Sequence, residues 1–213
     1  MKFQHGFAPL ALSIVACVGG AADGGNDNGD NAPATAGQPS ALSDAERDDL
    51  RWLREEEKLA RDVYTALVAP TNVMAFDRIR SSEQSHMDAV LVQLQKHGLP
   101  DPVGSNGPGV FTDAALQQVY NDLLADASRS VDAAVEVGAL IEDMDLHDIA
   151  TMRTHTTNPS LLALYDNLAC GSRNHLRSFT QQLTSRGLTY APMYISADAY
   201  RTILAQDRET CGQ

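Results

Sequence analysis

The chain has 213 residues, with 28 Asp and Glu side chains against 16 Lys and Arg, so its formal net charge is −12. This acidic balance argues against a nucleic-acid-binding surface and against a polybasic membrane surface. The composition changes near residue 42, and we expect one folded domain over residues 42–206 with a tail at 207–213.

Residues 1–17 have the organisation of an export signal. Lys2 stands near the start, an apolar run follows, and Cys17 ends the segment. The junction IVAC resembles a bacterial lipobox, which predicts a lipid on Cys17, a position in the periplasm or cell envelope, and membrane contact only through that lipid. Cleavage nearby without a lipid is the alternative. Residues 18–41, rich in Gly, Asn, Asp, Ala and Pro, are predicted to form a disordered tether.

Two long amphipathic helices are predicted next. The first opens at a capping box formed by Ser43 and Glu46 and is expected to run to about Val68, before Pro70. The second is expected over about residues 72–97. Apolar residues recur in both at intervals of three and four. Three polar residues lie in the same stripes: Glu57, Glu83 and His86.

A crossover rich in Gly and Pro, at residues 101–109, and a short helix at 113–125 separate this pair from two further helices. The third long helix should begin near Ser130, and the fourth should be capped by Asn158 with Pro159 in its first position. A short helix is expected near the C-terminus. The pattern predicts an all-α fold, a four-helix bundle with a long crossover between its second and third helices. The later stripes are also interrupted by polar residues: Glu142, Asp145 and His175.

The six interrupting residues together predict a metal centre. Buried ionised carboxylates repel one another, and leaving even one of them unpaired costs several kcal/mol. No Arg or Lys lies in register with them, whereas two divalent cations would balance four carboxylates. Residues three apart on a helix, such as Glu83 and His86 or Glu142 and Asp145, can hold the same pair of cations. Oxygen and nitrogen ligands together suit iron or manganese, with zinc as a further option.

Short motifs around these residues resemble known metalloproteins. EKLARDVY, which contains Glu57 and Tyr64, resembles the first metal-binding helix of rubrerythrins, and EQSH resembles the Glu-x-x-His motif of ferritin-like di-iron proteins. EDMD stands where rubrerythrins have a Glu-x-x-Glu pair. Over residues 42–205 the chain is similar to the ferritin-like family called domain of unknown function 2202. The resemblance implies a ferritin-like bundle with a di-iron centre.

The fourth helix departs from the di-iron pattern. Ser172 stands where a glutamate would normally precede His175, and Asp145 is the expected substitute. Ser172 is then expected to support a ligand rather than to bind metal. Tyr64 is expected either to hydrogen-bond a ligand carboxylate or simply to pack in the core.

The remaining candidates outside the stripes are cysteines and histidines. Cys170 and Cys211 either form a disulfide, as an oxidising compartment would allow, or remain free thiols. His147 and His155 fall off the stripe or in a loop, so we expect them to be solvated rather than to bind metal.

These features predict a di-metal protein, with iron as the first choice, that oxidises ferrous iron or reduces peroxide or dioxygen. The alternatives are a lipoprotein that buffers or senses iron, manganese or zinc without turnover, and a metal-free bundle with a hydrogen-bonded polar core. The expected partners are metal ions with dioxygen or peroxide, and a homo-oligomer is compatible with the sequence.

Overall fold

The computed structural model describes residues 41–212, and these form an all-helical fold. The predicted signal segment 1–17, with Cys17, lies outside the described residues, as does the predicted tether up to residue 40. Among the described helices, none combines the length and the apolar character needed to cross a membrane. Residues 41–212 contain six α-helices: α1 (Asp44–Thr71), α2 (Met74–Lys96), α3 (Ala114–Ala127), α4 (Val131–Met152), α5 (Pro159–Ser185) and α6 (Ala197–Ala205).

Side-chain caps define where most of these helices begin. Ser43 accepts a hydrogen bond from the backbone N–H of Glu46, whose carboxylate accepts one from the backbone of Ser43, so the predicted capping box is present. Asn158 caps α5 as predicted, Ser130 caps α4, which begins where it was predicted to begin, and Asp113 caps α3. Each cap satisfies backbone N–H groups that have no partner within the first turn.

The junction between α1 and α2 differs from the prediction. α1 continues through Pro70 to Thr71 instead of ending near Val68, and α2 begins at Met74 instead of near residue 72. A proline in the last helical turn has no N–H to donate, so one backbone hydrogen bond is missing there, but the turn can still form. The chain reverses at Asn72, which adopts a left-handed conformation with φ of 53° and donates its N–H to the carbonyl of Val68. Asparagine tolerates this conformation better than most residues do.

The four long helices enclose a common interior. α1 packs along α2 and α4 along α5, while contacts between α1 and α4 and between α2 and α5 complete the arrangement. The apolar core falls into two clusters: Leu53 and Leu168 belong to one, and Leu59 and Leu176 belong to the other. On α1 and α5 the polar stripe residues lie between these positions, so the fold places a polar layer between two apolar layers.

Buried charges on another face of α1 anchor the crossover that leads from α2 to α3. Arg54 donates two hydrogen bonds to Asp101, both of 3.0 Å, and Lys58 donates one of 2.9 Å to the carbonyl of Gly107 while it pairs with Asp62. Glu55 accepts hydrogen bonds of 2.6 and 2.8 Å from two backbone N–H groups at the start of α3. The cations buried in α1 are therefore committed to the crossover and not to the polar layer.

Candidate metal centre

Five of the six predicted ligands form two overlapping groups in the polar layer. One group consists of Glu57, Glu83 and His86, and the other of Glu83, Glu142 and His175. Within each group, one ligand atom from every residue lies within 4.8 Å of the others, and all five side chains are buried. Glu83 belongs to both groups, which is the arrangement that a carboxylate shared between two metal ions requires.

The two oxygens of Glu83 face different histidines. Nδ1 of His86 lies 2.8 Å from Glu83 Oε2 and 3.2 Å from Glu57 Oε2. Nδ1 of His175 lies 2.9 Å from Glu83 Oε1 and 3.4 Å from Glu142 Oε2. The centre thus has two halves, each with one imidazole and one carboxylate of its own, joined by Glu83.

Asp145, the sixth predicted ligand, is buried beside these groups but belongs to neither. Its Oδ2 accepts a hydrogen bond from the hydroxyl of Ser172, and its Oδ1 has no hydrogen-bond partner. Tyr64 is buried and donates a hydrogen bond of 2.6 Å to Glu142. Ser172 and Tyr64 each hold one oxygen of an acidic residue of the centre, which fixes the direction of its other oxygen.

Two further residues position the histidines, and the sequence stripes gave no signal for either. The hydroxyl of Ser82 lies 3.1 Å from Nε2 of His175, where it can accept the Nε2–H. Nδ1 of His175 is then the nitrogen left with a lone pair for a metal. Gly171 packs against the other ring, since a Cβ at that position would lie 2.5 Å from Nε2 of His86.

Burial and neighbouring charges shift the pKa values of the carboxyl groups. Burial raises the pKa of Glu57 to about 7, although the neighbouring imidazole partly offsets it. Burial, followed by repulsion from Glu57 and Glu142, raises the pKa of Asp145 well above its ordinary value. For Glu83, burial opposes ionisation, but the charges of the two histidines outweigh it and lower the pKa. Glu83 is therefore the carboxylate that remains ionised most readily.

The pKa values of the two histidines are raised, whereas burial alone lowers the pKa of an imidazole. Burial alone would lower the pKa of His175, but the charges of Glu83 and Glu142 raise it to about 10. Glu57 and Glu83 likewise raise the pKa of His86 well above its ordinary value against the effect of burial. Without a metal, protons on the histidines and on some carboxyl groups supply the positive charge that this layer needs.

The hydrogen bonding of the layer is incomplete in a way that fits cations. Four of its buried atoms have no hydrogen-bond partner: Glu57 Oε1, Glu83 Oε1, Asp145 Oδ1 and His175 Nδ1. The last atom lies within ion-pair distance of Glu83 but without the alignment of a hydrogen bond. Buried polar atoms are almost always partnered in folded proteins, so a concentration of unpartnered oxygen and nitrogen atoms indicates a place for metal ions.

Glu56 is a buried acidic residue that the stripe pattern did not single out. It lies one position before Glu57 on α1, is 2% exposed, and its side-chain partner is the carboxyl group of Asp148. Burial, followed by the charges of Asp148 and Asp145, raises its pKa well above the ordinary value. The acidic region therefore extends beyond the predicted ligands toward α4.

His155 differs from the prediction and His147 does not. Nδ1 of His155 lies 2.9 and 3.2 Å from the two carboxylate oxygens of Asp49, so this histidine is paired and not solvated. The contact joins the turn after α4 to the first turns of α1, which a reading of each helix alone could not reveal. His147 is exposed, and neither histidine belongs to the two groups of the centre.

The C-terminal segment is fastened to α5 next to the centre. Cys170 and Cys211 are joined by a disulfide. Glu209 lies 2.5 Å from Arg173 and 2.8 Å from Arg177. Glu209 and Cys211, which fall in the predicted tail, are therefore held against the helix that carries His175.

The helical region matches one protein family along its length. The model of an uncharacterized protein domain, DUF2202, matches residues 46–207, which confirms the predicted resemblance to domain of unknown function 2202. The uncharacterized protein MJ0754 of Methanocaldococcus jannaschii is 40% identical over 168 residues, which are 79% of this chain and 91% of that protein. The crystal structure of the hypothetical protein MJ0754 from Methanococcus jannaschii superimposes with a TM-score of 0.79 at 40% identity, covering 83% of this chain and 99% of that chain.

Proposed function

The chain belongs to the DUF2202 family, and we propose that it is a ferritin-like four-helix protein whose centre holds two metal ions. We propose iron as the metal, and oxidation of ferrous iron or reduction of peroxide or dioxygen as the reaction. The N-terminal signal pattern supports a location in the cell envelope, with Cys17 as the lipid anchor. The observation that carries the proposal is the position of Glu83 in both ligand groups.

Each half of the centre supplies a mixed donor set. Glu57 and His86, with one oxygen of Glu83, would hold one ion; Glu142 and His175, with the other oxygen, would hold the second. Carboxylate oxygen with imidazole nitrogen suits iron and manganese better than calcium or magnesium. When bound, iron would supply the one-electron steps with dioxygen or peroxide that protein side chains alone do not perform.

The chain's own residues would tune this centre in three ways. Tyr64 holds one oxygen of Glu142 while the other lies near His175, and Ser172 holds one oxygen of Asp145 at the border of the centre. Ser82 selects the nitrogen of His175 that is free to bind. The apolar clusters on both sides keep the environment poorly solvated, which strengthens the attraction between carboxylates and cations.

The test is anaerobic loading of the metal-free protein with ferrous iron, followed by metal analysis and exposure to air. We expect about two ions per chain in the parent and about one after Glu57→Ala, as for di-metal bundles. Glu83→Ala should bind least, because it removes a ligand from both halves. Glu136→Gln, which removes a carboxylate of α4 outside the centre, is the matched control and should bind as the parent does.

The outcome in air separates the proposal from its alternatives. A di-ferric absorption band that forms and recurs over several rounds of ferrous addition supports the oxidoreductase. Tight iron binding without repeated turnover would favour a protein that buffers or senses metal. Iron binding that Glu57→Ala and Glu83→Ala leave unchanged, or a parent protein that binds no metal, would contradict the proposal.

A further inference from the structure

Three carboxyl groups between α1 and α4 continue the acidic region away from the centre. Asp145 borders the centre and is 6% exposed, Glu56 is 2% exposed, and Asp148 is partly exposed. Asp148 accepts a hydrogen bond of 3.3 Å from the indole N–H of Trp52. His147, next to Asp148, is exposed. Glu56 interacts with both Asp148 and Asp145, so the three carboxyl groups form an acidic row between the partly exposed Asp148 and the centre.

The most deeply buried member of this row, Glu56, has no N–H or hydroxyl partner and faces another carboxyl group instead. Its side-chain partner is Asp148, so a proton or a cation must lie between the two carboxyl groups, while Oδ1 of Asp145 has no partner. Among residues 41–212, the ion pairs of the buried cations Arg54 and Lys58 are to residues of α1 and the crossover. An unpaired buried carboxylate costs several kcal/mol, so the fold tolerates Glu56 only with a proton or a cation beside it.

We propose that Glu56 and Asp148, together with the free oxygen of Asp145, form an accessory site that takes up a divalent cation on its way to the centre. This inference rests on the proposed function, since a transit site needs a metal centre to supply. Its ligands are all carboxylate oxygens, which suit hard divalent cations such as Mn²⁺ and Fe²⁺. No imidazole contributes to it.

The accessory site should bind more weakly than the centre. In the described part of the chain, only the two groups at the centre bring three ligand atoms within 4.8 Å of one another. Glu56 and Asp148 are in contact, but the three carboxyl groups do not converge as a set, so Asp145 must move for all three to share a cation. A site with fewer preformed contacts releases its ion faster, which is what transfer to a tighter site requires.

The experiment is a titration of the metal-free protein with Mn²⁺, followed by electron paramagnetic resonance of the free ion. The parent should bind about two equivalents tightly and about one more weakly. Glu56→Gln and Asp148→Asn should each weaken the third equivalent at least about tenfold and keep the two tight ones. They should also slow the filling of the tight sites under limiting Mn²⁺.

The control is Glu136→Gln, which removes one carboxylate from the same helix as Asp148. It lies twelve residues away, which is about 18 Å along a helix, and should leave all three equivalents unchanged. Glu56→Gln changes a buried residue and could impair folding. Asp148→Asn changes a partly exposed residue of the same site, so it tests the site with less risk of a folding defect. Melting temperatures measured without metal identify such a defect directly.

Each remaining outcome decides the matter. Two tight equivalents and no third would overturn the accessory site and leave the proposed function intact, with a proton shared by Glu56 and Asp148 as the explanation. A third equivalent that survives both substitutions would place it elsewhere and overturn the assignment. A parent that binds no Mn²⁺ and no Fe²⁺ would remove the proposed function and this inference together.

Discussion

Replacing Gly171 with alanine should displace His86 from the centre while α5 stays folded. The new Cβ would lie 2.5 Å from Nε2 and 2.6 Å from Cε1 of the His86 ring, whereas ordinary contact begins at 3.4 Å. The ring must therefore retreat by about 0.9 Å. It lies at the end of a side chain and can do so, but its Nδ1 would leave its position 2.8 Å from Glu83.

The magnitude follows from how narrowly metal–ligand distances are defined. Those distances vary by only about 0.2 Å, so a retreat several times larger removes His86 as a ligand. Loss of a group that merely supports a ligand weakens metal binding about 10- to 100-fold, so we expect about 100-fold or more here. That corresponds to about 3 kcal/mol. Alanine favours a helix over glycine by about 1 kcal/mol, which offsets part of the cost of moving the buried His86 ring, so α5 should stay folded in the metal-free protein.

The assay is a competition titration with Zn²⁺, which avoids redox chemistry, alongside urea unfolding of the metal-free protein. Gly138→Ala is the control, because its Cβ would lie 2.5 Å from the Phe179 ring. That ring packs against Tyr64 and Phe76 with centroid distances of 5.3 Å each. The control should cost about 1–3 kcal/mol of unfolding free energy and keep both metal ions. If Gly171→Ala binds two ions with the affinity of the parent, His86 is not a ligand and the assignment fails.

Four further predictions test other parts of the centre and its surroundings. Ser82→Ala should weaken the ion at His175 about tenfold in the same titration and leave the other ion unchanged, whereas equal loss at both would contradict a local role. The double change Cys170→Ser and Cys211→Ser should lower the unfolding free energy by up to about 4 kcal/mol, since the disulfide closes a separation of 41 residues, and a reducing agent should then have no further effect. The pKa values of Glu57, about 7, and His175, about 10, lie above their ordinary values, so both groups are protonated near pH 6. Zn²⁺ binding must therefore release protons and strengthen as the pH rises to about 8, which calorimetry in buffers of different ionisation enthalpy would measure. The raised pKa of His175 stabilises the metal-free fold below about pH 6.5, and that contribution is lost as the pH approaches 10. The raised pKa of Glu57 makes its burial costly above about pH 4.5. The unfolding free energy of the metal-free protein should therefore fall between about pH 6 and 9.

Features set by neighbouring residues were predictable from the sequence. The caps at Ser43, Ser130 and Asn158 depend on side chains two or three positions from the N–H groups they satisfy, so the starts of α1, α4 and α5 could be predicted. The end of α1 could not be predicted, because the rule that proline ends a helix does not specify how many residues of the last turn remain helical. Asn72, not Pro70, ends the helix.

Only those residues of the centre that lie on the apolar stripes of the helices could be predicted from the sequence. Helical spacing brings Glu83 and His86 to one face, but which atoms meet across helices depends on how each helix is rotated about its axis. Ser82 and Glu56 lie one position away from stripe residues, and only the packed structure shows that they face the centre or its border. The choice between a disulfide and free thiols needed a distance that sequence does not contain.

The succession Glu55, Glu56, Glu57, Lys58 on α1 is charged at every position, yet none of the four is more than 2% exposed. Consecutive helical residues point about 100° apart, so these four sweep once around the axis and face the start of α3, the acidic row, the centre and the crossover in turn. A shift of α1 by one residue would leave every one of these groups beside the wrong neighbour at the same moment. These four charged groups therefore select a single register for α1. Apolar contacts alone would select that register far less strictly.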